Sequence, residues 1–291
     1  MYETILVPTD GSEGAETASR HAARLAAAFG SRLRILSVVD ERAFSDELVA
    51  AGTAVEDRRA TAEQRAAEAT AAIETLAESA SIPCLTAVEE GVPDETIVSY
   101  ADDHDVDLIA MGTHGRTGLS HTLLGSVAER VVRTSDVPVL TTRSAPGDGA
   151  YDRILIPTDG SEAASAAIEH GLAIAERFDA TVHALSVVDL DALAGAAETG
   201  AGLPAVIETL EEDCERAVDA VAERCSDRGL DAVTAIVEGS PSRAIDEYVE
   251  REGIDLIAMG THGRTGIERY LIGSVTERIV RTSDVPVLTV R

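Results

Sequence analysis

The chain repeats one long pattern of residues, and this duplication limits the architectures that it can adopt. The pattern Gly-x-x-Gly, nine further residues and then Gly-Ser begins at Gly112 and again at Gly260. The two copies lie 148 residues apart, and Asp10 and Asp159, which follow the first apolar run of each half, lie 149 apart. One net deletion therefore separates the halves, which indicates duplication of a whole domain rather than of a short motif.

Short apolar runs alternate with amphipathic helical patterns in each half. Strands that are apolar nearly throughout are typical of a parallel sheet with helices on both faces, so we expect two tandem doubly wound α/β domains. The boundaries predicted are residues 1–143, a linker at 144–150, and residues 151–291. The predicted strands are 4–8, 33–39, 84–88, 108–111 and 137–141, then 153–157, 181–188, 231–237, 256–259 and 285–290.

The charge of the chain excludes several classes of partner. Its 52 acidic residues outnumber 24 basic ones, all of them arginine, which gives a formal charge of −28. Such a chain offers no basic patch for DNA, RNA or anionic membranes. An ordinary acidic protein is one interpretation, but we favour adaptation to molar salt, which screens self-repulsion.

Compartment and redox state follow from what the sequence lacks. No apolar run approaches a membrane span, and the N-terminus has no signal-peptide plan. The three cysteines have no metal-ligand spacing, and Cys214 and Cys225 fall on the apolar stripe of a predicted helix, so we expect reduced, buried thiols. These features predict a cytoplasmic protein.

The glycine-rich segment is not one of the two commonest nucleotide motifs. A P-loop requires lysine, which the chain lacks, and the dinucleotide fingerprint requires a glycine-rich turn after the first strand. Here that strand ends in Pro8, Thr9 and Asp10. A carboxylate at this point suits ribose hydroxyls or metal-bound water better than a bare phosphate.

The loop after the fourth strand has the features of an anion site. Gly112 and Gly115 allow close approach of the backbone, and Gly125 and Ser126 stand where a helix begins, with amides available to phosphate oxygens. Each such bond contributes about 1.5–3 kcal/mol. Arg116, and Arg264 in the second copy, would add a phosphate contact.

Simpler explanations remain open for some of these residues. Gly112 and Gly115 also suit plain turns, although the same fixed spacing in both halves argues against that explanation. Asp10 and Asp159 are suitable helix N-caps as well as ligands. His114 and His262 resemble catalytic bases, but no nucleophile, base and orienting group accompany them, so we interpret them as presenting their backbone.

With its two glycine motifs, its Pro-Thr-Asp strand ends and its Ser-Asp-Val-Pro-Val-Leu final strands, the chain resembles a tandem universal stress protein of the ATP-binding type. The resemblance implies five-stranded parallel sheets of order 3-2-1-4-5, similar to the adenine nucleotide alpha hydrolases, and an ATP site, with Mg²⁺, in each half. The implied contacts in the first half are Pro8, Thr9, Asp10, Val38, Met111, Gly112, His114, Gly115, Arg116, Gly125, Ser126 and Val127. In the second half they are Pro157, Thr158, Asp159, Val187, Met259, Gly260, His262, Gly263, Arg264, Gly273, Ser274, Val275 and Thr276.

The halves differ at one of these positions, because Ala128 stands where the second half has Thr276, a residue whose hydroxyl is suited to contact a phosphate or a metal. We therefore expect weaker binding in the first half. The resemblance implies a stress protein whose conformation or assembly depends on the bound nucleotide. It also implies that the two halves form an intramolecular pseudo-dimer and that two chains form a homodimer. One alternative is a slow ATPase, since weak ATP hydrolysis is the greatest catalytic activity that these residues support. The other alternative is an assembly module that binds no nucleotide.

Overall fold

Two units of alternating strands and helices make up the chain, Met1–Gly149 and Ala150–Arg291. The computed structural model describes residues 1–45, 52–115, 124–143, 151–189, 203–262 and 272–291. The predicted linker at 144–150 lies outside these residues, as do most of 189–205. The α/β class, the parallel sheets and the tandem arrangement predicted from the sequence are confirmed.

The first unit contains five strands and five helices among its described residues. The strands are β1 (Thr4–Pro8), β2 (Arg32–Asp40), β3 (Cys84–Gly91), β4 (Leu108–Gly112) and β5 (Val139–Thr142). The helices are α1 (Glu13–Phe29), α2 (Arg42–Ser45), α3 (Gly52–Ser79), α4 (Pro93–Asp103) and α5 (Ser126–Thr134).

Strand β1 lies at the centre of the first sheet. It pairs in parallel with β2 on one side and β4 on the other, while β2 pairs with β3 and β4 with β5. The chain thus leaves β1 in one direction and returns to β4 on the opposite side. The crevice that opens at the carboxyl ends of β1 and β4 is where ligands bind in such sheets.

The second unit repeats this plan. Its strands are β6 (Arg153–Pro157), β7 (Thr181–Asp189), β8 (Ala232–Gly239), β9 (Leu256–Gly260) and β10 (Val287–Val290). Its described helices are α6 (Glu162–Phe178), α7 (Leu203–Arg228), α8 (Pro241–Glu252) and α9 (Ser274–Thr282). Strand β6 pairs with β7 and β9, β7 with β8, and β9 with β10, all in parallel.

The central strands form the cores because they are apolar on both faces. All five residues of β1 are buried, and α1 covers them with small residues such as Ala18 and Ala22, both fully buried. Ser12 begins α1 by accepting a hydrogen bond from Ala15 N at 3.3 Å, and Ser161 does the same for α6.

The predicted fifth strands begin two residues too early. The strands start at Val139 and Val287, after Pro138 and Pro286. Proline has no N–H to donate to the ladder, although the Pro138 carbonyl still accepts from Ile109 N at 2.9 Å. Cys214 and Cys225 are buried free thiols in α7.

Candidate functional site

A cavity of about 330 Å³ opens at the carboxyl ends of β1, β2 and β4 in the first unit. Its wall combines the end of β1, the end of β2, the loop after β4 and the start of α5. The predicted contacts that line it are Pro8, Thr9, Asp10, Val38, Met111, Gly112, His114, Gly115, Gly125, Ser126 and Val127. Arg116 lies outside the described residues.

The segment after β1 is held in a tight turn that fixes one oxygen of Asp10. Ser12 N donates to Asp10 Oδ1 at 3.0 Å, and Gly11 N donates to Thr9 Oγ1 at 3.1 Å. The N-cap of α1 is Ser12 and not Asp10, so the capping alternative is wrong for the aspartate. Asp10 instead supports the turn that leads into the helix, and its Oδ2 faces the loop after β4.

The glycines of the loop are required mainly by contacts within the protein. A Cβ on Gly112 would lie 2.6 Å from the backbone carbon of Gly14, so β4 and the start of α1 pack backbone to backbone. A Cβ on Gly115 would lie 2.7 Å from Asp10 Oδ2, and one on Gly125 would lie 2.8 Å from the Thr113 carbonyl oxygen. These distances explain the motif without a ligand, while bringing the loop and the aspartate together.

The start of α5 presents backbone donors to the cavity. Gly125 is the N-cap, and its own amide is not among the donors because it donates to Thr113 O at 2.7 Å. Gly125 provides no side-chain cap, so the first-turn amides of Ser126, Val127 and Ala128 have no partner within the helix. Their N–H groups and the positive end of the helix dipole form an anion site.

His114 is fixed by its neighbours. Thr113 Oγ1 donates to the Thr142 carbonyl at 3.2 Å and lies 3.0 Å from His114 Nδ1, an arrangement that favours a proton on Nδ1. The His114 carbonyl accepts from Ser12 Oγ at 3.4 Å. The backbone of this residue therefore joins the loop to the start of α1.

An ion pair that the motifs did not identify stands at the mouth of the cavity. Arg42 in α2 donates to the Asp40 carboxylate through Nε at 2.8 Å and Nη2 at 2.7 Å. These bonds hold the pKa of Asp40 below its ordinary value, against the opposing effect of partial burial. Asp40 ends β2 and has an equivalent in Asp189, so the duplication was a signal for the carboxylate, but Arg42 aligns with Asp191 and the arginine is not repeated.

The second unit places its predicted residues in the same elements. Pro157 ends β6 and is followed by Thr158 and Asp159, and Ser161 N donates to Asp159 Oδ1 at 2.9 Å. Val187 lies in β7, Met259 and Gly260 end β9, and His262 follows. Gly263 and Arg264 lie outside the described residues.

The start of α9 matches that of α5. Gly273 N donates to Thr261 O at 2.8 Å, and the first-turn amides of Ser274, Val275 and Thr276 have no partner within the helix. The predicted role of the Thr276 hydroxyl needs correction. Thr276 is only 4% exposed, and its Oγ1 donates to the Gly260 carbonyl at 2.8 Å, so the proton is not available to a phosphate. The hydroxyl ties the helix to the end of β9, a bond that Ala128 cannot make.

The described residues contain neither a candidate membrane span nor a candidate metal cluster. None of their helices is long and apolar enough to cross a membrane. Within the same part of the chain, no group of three or more His, Cys, Asp or Glu side chains is arranged to hold a metal ion.

Known proteins resemble the chain over its whole length. The model of the universal stress protein family matches residues 1–143 and 150–291. A universal stress protein of Methanocaldococcus jannaschii is 39% identical over 145 residues, 50% of this chain and 85% of that protein. One from Synechocystis sp. is 26% identical over 308 residues, 99% of this chain and 100% of that protein.

A solved structure has the same fold. The crystal structure of a universal stress protein from Archaeoglobus fulgidus covers 99% of this chain and 98% of its own, with a TM-score of 0.74 and 22% identity. The solved structure therefore spans both of the tandem domains that the repeated glycine motif first indicated.

Proposed function

Because this chain belongs to the universal stress protein family through both of its halves, we propose that it serves the stress response by binding ATP, or a related adenine nucleotide, in each unit. The observation that carries the proposal is the cavity of the first unit, where Asp10 and the N-terminus of α5 face the same space. A ligand that fits both must have a hydroxyl-bearing part and an anionic part. A nucleotide has both.

The chemistry of the wall supports one orientation of the proposed ligand. The apolar side chains of Val38, Leu36 and Ile97 suit the flat face of an adenine, and Asp10 suits ribose hydroxyls. The first turn of α5 suits the phosphates, since its amides lie at the positive end of the helix. The volume of about 330 Å³ lies at the lower end of the range of small-molecule sites.

Magnesium fits this arrangement as a companion of the phosphates. Mg²⁺ keeps several waters and is commonly held by substrate phosphates with one or two carboxylates. Asp10, whose Oδ2 faces the loop after β4, would accept from one of those waters where it does not contact the ribose. The metal would neutralise phosphate charge in a chain that is itself strongly acidic.

The second unit repeats the donors, so we propose a site there too. Three first-turn amides of α9, Asp159 and Val187 correspond to the groups of the first unit. Thr276 differs from Ala128 by holding the helix to β9, and we propose that any difference in affinity arises from the rigidity of this junction.

Salt adaptation and assembly are further parts of the proposal. The formal charge of −28 without a single lysine supports a protein suited to molar salt. The resemblance to the family supports a pseudo-dimer of the two halves and a homodimer of the chain. Nucleotide binding would bias conformation or assembly only through a difference in affinity between two states.

Substitution of Ser126 tests the phosphate end of the site. Ser126 is the first helical residue and follows Gly125, whose extended backbone suits a following proline. Ser126→Pro removes one amide donor without opposing the helix, and we expect ATP affinity in the first unit to fall by about tenfold or more. Titration calorimetry with ATP and Mg²⁺ in molar KCl measures the change.

Ser126→Ala is the matched control, because it removes the hydroxyl and keeps the amide. Ser274→Pro and Ser274→Ala repeat the comparison in the second unit. Equal affinities for the proline and alanine variants, with melting temperatures unchanged in the absence of nucleotide, would contradict binding by the amides.

A further inference from the structure

The outer strands β3 and β8 carry most of the exposed large apolar side chains. Leu85 and Val88 in β3 are 56% and 41% exposed, and Val233 and Ile236 in β8 are 42% and 38% exposed. Among the described residues, Met1 is the one other large apolar side chain so exposed. Soluble proteins usually protect an edge strand with charge, proline or a covering element.

The exposed positions correspond between the two units. Leu85 and Val233 lie 148 residues apart, as do Val88 and Ile236, and this is the offset of the glycine motifs. The same two positions of the domain therefore present apolar surface in both units. In a strand these positions point to opposite faces, so apolar surface flanks the edge above and below.

The backbone at each edge offers unpaired hydrogen-bonding groups. Leu33 N donates to the Pro83 carbonyl at 2.8 Å, so in this parallel pair the backbones of Thr86 and Val88 turn away from β2. Val182 N donates to the Asp231 carbonyl at 2.9 Å, which turns the backbones of Thr234 and Ile236 away from β7. Within its own unit, no further described strand pairs with β3 or with β8.

Acidic side chains flank the apolar centre of β3. Burial, and then the carboxylates of Glu74 and Glu78, raise the pKa of the Cys84 thiol, which places both carboxylates near the start of the strand. Glu89 is exposed near its end, next to Glu90, which pairs with Arg59.

The edge of β8 also carries negative charge near both ends. Asp231 immediately precedes the strand and Glu238 lies near its end, and both are exposed. Each edge therefore combines an apolar centre, outward backbone groups and negative charge at both ends.

We propose that β3 and β8 are docking sites for an extended peptide segment with apolar residues at its centre and a basic residue at each end. Such a segment would add a strand to the sheet, with its backbone pairing to the outward groups and its side chains contacting Leu85 and Val88, or Val233 and Ile236. The occupant is basic because the edge and the whole chain are acidic. This function is separate from the nucleotide cavity, which lies at the carboxyl ends of the strands.

Proline substitution tests the added strand directly. Thr86 and Thr234 are equivalent residues whose N–H groups point outward, so Thr86→Pro and Thr234→Pro each remove one docking donor and spare the ladder to β2 or β7. Thr86→Ala and Thr234→Ala keep the donor and serve as controls. The probe is the labelled peptide Arg-Thr-Val-Thr-Val-Thr-Val-Arg, compared with a peptide carrying glutamate in place of both arginines.

Fluorescence anisotropy on the full chain should show binding of the basic peptide and none of the acidic one. The double proline variant should bind at least about fivefold more weakly than the double alanine variant. Should proline disturb the fold by circular dichroism, Val88→Thr with Ile236→Thr replaces it and should weaken binding similarly.

Three results would overturn the proposal. One is absence of binding to the wild-type chain. Another is equal binding to the proline and alanine variants, which would show general attraction to an acidic surface. The third is loss of self-association in the proline variants without loss of peptide binding, measured by sedimentation, which would make the occupant a second copy of the chain.

Discussion

Individual residues of the candidate site serve the fold first and leave a small set of groups for a ligand. One oxygen of Asp10 accepts from Ser12 N, the Gly125 amide donates to Thr113 O, and the Thr276 hydroxyl donates to Gly260 O. The sequence predicted these residues as ligand contacts because a motif specifies residue types and spacing. It does not specify where an N–H or hydroxyl points, which depends on the turn that each residue adopts.

Buried histidines predict a pH dependence of stability at the residue scale. Burial first, and then Arg20 and Arg24, lower the pKa of His21 from 6.5 to about 4. The fold therefore favours the neutral imidazole. The contribution of His21 to the free energy of unfolding is fully present above pH 6.5 and is lost as the pH falls toward 4. The decrease from His21 should be on the order of 3 kcal/mol, and urea unfolding at both ends of this range measures it.

His21→Gln should lose this part of the pH dependence while the carboxylates contribute as before. His170 is the equivalent residue of α6, and its pKa is also lowered, chiefly by burial. His170→Gln should therefore act in the same direction in the second unit. If wild type and His21→Gln lose the same stability between these pH values, the histidine is not the cause.

At the scale of elements, the sequence identified strands and helices more accurately than their ends. The run at Thr4–Pro8 matches β1 because an apolar strand flanked by polar residues has clear limits. The fifth strands begin later than predicted because apolar character does not distinguish Val137, before the proline, from Val139, after it. The pairing of β1 with β4 came from the family resemblance, since sequence spacing alone does not specify which strands are neighbours.

Packing of α1 against β4 gives an element-scale prediction for the glycine motif. A Cβ at Gly112 would lie 2.6 Å from the Gly14 backbone, and backbone yields less readily than a side chain. Gly112→Ala should lower the free energy of unfolding by about 2 kcal/mol without any nucleotide present. Urea denaturation followed by circular dichroism measures this loss.

Gly115→Ala is the informative comparison, since its Cβ would meet the Asp10 side chain, which can rotate. This variant should unfold closer to wild type but bind ATP more weakly, because Asp10 is displaced. If Gly112→Ala were as stable as wild type, the close packing of β4 against α1 would be disproved.

For the whole molecule, the duplication was the most reliable sequence signal, because one repeated register constrains nearly every element at once. The family match to both halves confirms it. The charge of −28 also belongs to this scale, since it is the sum over all 52 acidic and 24 basic residues of the chain. Its consequence for stability stays a prediction, because self-repulsion depends on the salt around the chain as well as on the sequence.

Salt titration tests that consequence. The melting temperature should rise from dilute buffer to molar KCl, because screening removes repulsion that favours the unfolded state. Sucrose serves as the control, since it stabilises by exclusion from the surface and does not screen charge. A melting temperature that is the same in dilute and molar KCl would contradict adaptation to salt.

Nucleotide binding in both units is the central claim, and equilibrium dialysis of the intact chain against ATP and Mg²⁺ in molar KCl tests it most directly. We predict two ATP molecules per chain at saturation, and in Ser126→Pro or Ser274→Pro one site of unchanged affinity and one that is about tenfold weaker or more. No bound ATP at millimolar concentration, or binding that neither substitution reduces, would contradict the assignment of the cavity and of its counterpart at the start of α9.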